Sequence, residues 1–117
     1  MSDRIKWIEY KGAKILYADY SNLEEDEYVT EIDNFEKELI KNKPNSVLVI
    51  TNTNNTYITS KINKRFKEMR EKTKGISKAS AVVGVTGVKK IIANAIRKDL
   101  YLARSIEDAK EWLIKQI

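Results

Sequence analysis

The chain has 117 residues, enough for one domain around one core, with 42% hydrophobic and 33% charged residues. It has no cysteine and no histidine, which excludes a disulfide framework, a thiolate zinc site and every Ser-His or Cys-His catalytic device. No apolar run approaches the roughly 20 residues of a membrane span, and the start, MSDRIKWIEY, lacks a signal-peptide apolar region. A cytoplasmic, non-enzymatic protein without cofactor or metal is expected.

The net charge of +5 hides a segregation. Residues 24–38 hold eight acids and one lysine, and residues 61–78 hold eight bases and two acids. The two blocks fall on two different predicted helices. A basic face can meet anionic lipid or nucleic acid, but only Phe66 interrupts the basic block and its spacing makes it core, so nucleic acid is not the expected partner. The acidic helix is also a candidate dock for the basic helix of a second copy, which gives a homodimer as one possibility.

In chain order, IKWIEY (5–10) and KILYADY (14–20) flank Lys11-Gly12 and predict a hairpin of two strands. SNLE (21–24) has capping-box spacing. Tyr28, Ile32, Phe35 and Leu39 then recur at helical spacing up to about Asn42, before Pro44. SVLVIT (46–51) is an unbroken apolar run, the pattern of a strand buried on both faces. After the polar NTNNT (52–56), Ile58, Ile62, Phe66 and Met69 predict a second helix capped by Thr59 or Ser60 and ending near Gly75.

KASAVVGV (78–85) is a further buried strand. Thr86 is the expected cap of a third helix, with Val88, Ile91, Ile92, Ala95 and Ile96 inward. DLYLA (99–103) is a short strand, and a last helix begins at Ser105. The order β-β-α-β-α-β-α-β-α predicts a single α/β domain over 1–117 with a mainly parallel sheet and right-handed crossovers.

Three stretches, KILYADYSNL, SAVVGVTGVKKIIANAI and LYLARSIEDAKEWLI, carry a resemblance. With this element order, the chain resembles STAS domains, and within them the SpoIIAA-like (STAS/SEC14-like) bacterial proteins. The resemblance implies a regulatory module that acts through a protein partner and has no catalytic residues. In the anti-sigma-factor antagonists of that family, a serine preceded by aspartate caps the helix after the central strand and is phosphorylated by a partner kinase. The resemblance places Ser60 at the serine and Thr59 at the aspartate, so the Asp-Ser pair is not intact.

Two loops follow strands and belong on the carboxyl rim of the sheet, where open α/β sheets bind ligands. On the first lie Asn52, Asn54, Tyr57, Thr59 and Ser60, and on the second Thr86, Gly87, Lys89 and Lys90, with Asp19 ending the neighbouring strand. Either a protein partner or a small anionic ligand or lipid head group is expected there. The GVTGVKK turn lacks both G-x-x-x-x-G-K-[ST] and G-x-G-x-x-G, so no nucleotide motif is present. Its glycines fit either weak anion binding or close strand–helix packing. Asp19 would be the base of any carboxylate enzyme. Tyr17 and Tyr57 are open between core and lid.

Overall fold

The computed structural model describes residues 2–85 and 100–117. Its strands are β1 (Ile5–Tyr10), β2 (Ala13–Asp19), β3 (Val47–Asn52), β4 (Ser77–Val83) and β5 (Tyr101–Ala103), and its helices are α1 (Glu25–Leu39), α2 (Ser60–Lys72) and α3 (Ile106–Ile114). The expected third helix over 88–96 lies outside the described residues.

All five strands form one sheet in the order β1-β2-β3-β4-β5. The expectation of a mainly parallel sheet is corrected: the sheet is mixed. Strand β1 runs antiparallel to β2, while β2/β3, β3/β4 and β4/β5 are parallel pairs. The reason is the Lys11-Gly12 connection. Both residues take positive φ (49° and 81°), the geometry of a tight hairpin, and a crossover needs a dozen or more residues.

The parallel strands are apolar on both faces because both faces are covered. Leu16, Ala18, Val47 and Val49 pack with α1 and α2, joining Tyr28, Ile32, Phe35, Leu39, Ile62 and Met69. On the opposite face, Ile15, Leu48, Ile50, Ala81 and Val83 pack with Ala109 and Leu113 of α3. The side-chain period of two sends alternate residues of one strand into two different cores. The four buried side chains of α1 each contribute about 2 kcal/mol of apolar burial.

Helix α1 starts one turn later than the SNLE spacing implies. Glu24 is its N-cap, and the Glu27 carboxylate accepts the Glu24 N–H at 3.1 Å. Ser21 is engaged elsewhere: its N–H and Oγ both donate to Asp19 Oδ1, at 3.0 and 2.5 Å. Asn22 then takes φ 59°, and the chain cannot enter a right-handed helix until it has passed that residue. Leu23 and Tyr28 hold the N′ and N4 positions and are buried in one cluster, the arrangement of a hydrophobic staple.

The acidic and basic helices are partners within one chain. Lys61 Nζ lies 3.1 Å from Asp26, and Arg65 reaches Asp33 at 2.8 Å and Glu36 at 3.2 Å. Arg65 and Glu36 are each only 16% exposed. These five side chains of the two charge blocks are therefore paired in cis, and they do not by themselves call for a second copy.

Candidate functional site at the carboxyl rim of the sheet

The parallel strands β2, β3 and β4 end together. Asp19 is the register partner of Asn52, and Asn52 of Val83. The chain then leaves each strand through residues held by backbone bonds across the rim: Tyr20 N–H to Asn52 O (2.8 Å), Asn22 N–H to Asn54 O (3.1 Å) and Thr53 N–H to Val83 O (2.8 Å). The sheet ladder thus continues past the last strand residues, which fixes the loops.

Side chains complete this scaffold. Asn52 donates through Nδ2 to the Tyr17 hydroxyl at 3.1 Å and accepts the Asn54 N–H at 3.0 Å. Asn55 Nδ2 donates to Asn22 Oδ1 at 2.5 Å, and Thr56 Oγ1 donates to Tyr20 O at 2.6 Å. Asn22 and Asn55 both stand at positive φ, which asparagine tolerates better than most residues. Tyr17 is half-buried, with its hydroxyl tied to Asn52. Burial pushes its hydroxyl above the ordinary 10.0, an effect that the Asn52 bond partly offsets.

Asp19 does not stand as a free base. Its carboxylate holds Ser21, and Arg4 Nη1 lies 3.7 Å from it while donating to the Asp19 and Ser21 carbonyls at 3.2 and 2.9 Å. Among the described residues no three carboxylates gather as a metal-binding set.

Gly84 ends β4 at φ 94°, and a Cβ there would lie 2.7 Å from both the Asn54 N and Oδ1 atoms. Its neighbour is therefore the β3 loop. At this glycine the structure shows a close approach to a loop; the helix that the packing expectation named lies outside the described residues. Thr86, Gly87, Lys89 and Lys90 lie outside the described residues.

Tyr57 is 79% exposed, and with Asn54 and Asn55 it forms the outer lip of the rim. Thr59 is the cap of α2, accepting the Ile62 N–H at 3.2 Å, and Ser60 is the exposed first helical residue. The first turn of α2 holds no acidic side chain, whereas α1 and α3 begin with Glu25, Asp26, Glu27 and with Glu107, Asp108.

The structure therefore brings Asp19, Asn52 and Asn54 into one scaffold, with Gly84 packed closely against Asn54, and sets Tyr57, Thr59 and Ser60 on its outer side. Sequence reasoning missed Arg4, Ser21, Asn22, Asn55 and Thr56 as parts of it. The asparagines were legible as turn residues; the Arg4 and Ser21 contacts leave no local signal.

A hollow of about 430 Å³ lies on the β1 side, away from this rim, lined by Trp7, Ile8, Glu9, Lys14, Glu38 and Asn42. No family model matches the chain, and neither a curated protein nor a solved structure is significantly similar to it.

Proposed function

We propose that the chain is a non-enzymatic binding module of STAS-like type, which engages a protein partner through the rim around Tyr57 and the start of α2. The observation that carries this reading is Tyr57. Its ring is 79% exposed on a loop whose neighbouring polar side chains are bonded to one another. A large amphipathic side chain on a rigid base loses little conformational entropy on contact and is a favoured interface anchor. The STAS-like part is supported by α2 following the middle strand of the sheet; its cap departs from the family pattern, being Thr59 at the aspartate position and not Ser60. The non-enzymatic part is supported by the absence of histidine and cysteine and by the engaged state of Asp19.

Ser60 is the proposed control point. A phosphate there would stand at the N-terminus of α2, whose own first turn has no acidic side chain, one turn before the exposed Lys64. The same acid-free first turn favours a second reading, a small anionic ligand or lipid head group held at the rim.

Native mass spectrometry of the purified chain tests the two readings. Partner binding predicts a copurified protein that Tyr57→Ala releases while the melting temperature stays unchanged. A small molecule retained by wild type and by Tyr57→Ala alike would refute the partner reading. A Ser60→Asp variant with unaltered partner affinity and stability would remove the phosphate control.

A further inference from the structure

The parallel strands begin at the end of the sheet opposite the rim, and there the chain turns from α1 into β3 and from α2 into β4. The two turns are tied together. Asn45 N–H donates to Gly75 O at 2.7 Å and Ser46 N–H to Ile76 O at 3.0 Å. Residues 37–46 and 70–78 thus form one continuous surface.

That surface carries Lys37, Lys41, Lys43, Arg70, Lys72, Lys74 and Lys78 against Glu38 and Glu71. Seven bases and two acids leave +5, which equals the net charge of the whole chain. Every lysine of the group is exposed. Helix dipoles account for bases in a last turn, such as Lys37, Arg70 and Lys72. They do not account for Lys43 and Lys74, which lie in the turns beyond.

Ile40 stands within this group. It is 52% exposed at the C-cap of α1, one turn after Lys37 on the same helical face and next to Lys41 in the chain. A single exposed aliphatic side chain is ordinary in water, but set among lysines it suits one kind of boundary. Lysine ammonium groups pair with anionic head groups while their stems and the isoleucine enter the acyl boundary.

We propose that this end of the domain docks on an anionic bilayer surface, with Ile40 as the apolar contact and the lysines of the two turns as the electrostatic one. The site is distinct from the rim and does not depend on the function proposed for it. Nucleic acid fits less well. Neither segment holds an aromatic side chain on which bases could stack, and the charge is carried by lysines with Arg70 as the single guanidinium.

The test is cosedimentation of the full chain with phosphatidylcholine vesicles, with and without phosphatidylserine. Binding is expected only with phosphatidylserine, and it should fade as salt shortens the screening length from about 10 Å toward about 3 Å. Lys43→Ala and Lys74→Ala should each weaken it by about fivefold, and together multiplicatively. Ile40→Ser should weaken vesicle binding yet leave heparin binding unchanged, with thermal melts showing all variants folded. Absence of sedimentation with phosphatidylserine vesicles at low salt overturns the proposal. So does an RNA duplex bound as tightly as the vesicles with Ile40→Ser neutral toward both, which would make the surface a general polyanion site.

Discussion

Gly84 and Asn54 approach so closely that no side chain fits between them: a Cβ on Gly84 would lie 2.7 Å from the Asn54 backbone nitrogen and 2.9 Å from its Cα. The obstacle is backbone, which a rotamer change cannot relieve. The φ of 94° adds a conformational penalty for any L side chain. Gly84→Ala should therefore destabilise the fold by about 3 kcal/mol, the combined scale of overpacking and left-handed strain. Urea unfolding measures this directly. A loss below about 1 kcal/mol would mean that the two loops separate at little cost.

Tyr20 and Tyr28 stack at 4.5 Å between ring centroids, with Phe66 edge-on to both, and neither buried hydroxyl has a hydrogen-bond partner among the described residues. The stacking is favourable, but a desolvated hydroxyl without a partner costs about 1–3 kcal/mol. Tyr28→Phe and Tyr20→Phe should each leave the ring contacts intact and raise stability, by about 1 kcal/mol. Destabilisation of similar size in urea melts would show that the hydroxyl is hydrogen-bonded in solution.

The same two tyrosines should be silent in an alkaline absorbance titration of the folded chain. Burial raises both hydroxyls far above the ordinary 10.0. With the folded value raised, the unfolded chain loses these protons first as pH climbs. Their contribution to stability is thus complete below about pH 10 and declines above it. Ionisation of all six tyrosines before the unfolding transition would contradict the buried placement.

Arg65 bridges Asp33 and Glu36 from a largely buried position. Removing it leaves Glu36, itself 16% exposed, without its counter-charge. Arg65→Ala should cost about 2 kcal/mol, below the value for a fully buried pair because Asp33 is 48% exposed. Arg65→Lys should recover only part, since an ammonium cannot hold both carboxylates in the planar fork. A double-mutant cycle with Glu36→Gln separates the pair from lost packing, and zero coupling would remove the clasp.

On the acid side, three carboxylates among the described residues are held below their ordinary values. Trp7 holds Glu38 down, the Tyr10 hydroxyl holds Glu111 down, and the Arg104 N–H with Tyr101 holds Asp108 down. Each is lower in the folded chain than in the unfolded one. Their stabilising effect is present above the ordinary 4.5 and 3.8 and is lost as pH falls through the depressed values. Melting temperature should decline below about pH 4.5, and Trp7→Phe should flatten the part due to Glu38. An unchanged acid profile in that variant would exclude the Trp7 bond.

Local patterns settled much of the architecture in advance. The hairpin follows from Lys11-Gly12 between two alternating strands, and the buried middle strand from the unbroken VLVI run. The 4-3-4 spacing picked out all four buried residues of α1, because which face a helix buries is a property of its own period. On the rim, Asp19, Asn52, Asn54, Tyr57, Thr59 and Ser60 were legible because residues after parallel strands must emerge on one side of the sheet.

What tertiary structure alone decided is which residues meet across elements. Two charge blocks of opposite sign look alike whether they pair within one chain or between two. Only the packing of α1 on α2 brings Arg65 to Asp33 and Glu36. Ser21 fits a capping box by spacing, yet Asp19 takes it first through a contact two residues away. Gly84 reads as a turn residue in sequence, and its real constraint is the Asn54 backbone thirty residues earlier. Periodicity is carried by near neighbours along the chain, whereas these contacts depend on strand register and helix placement, which the whole fold sets at once.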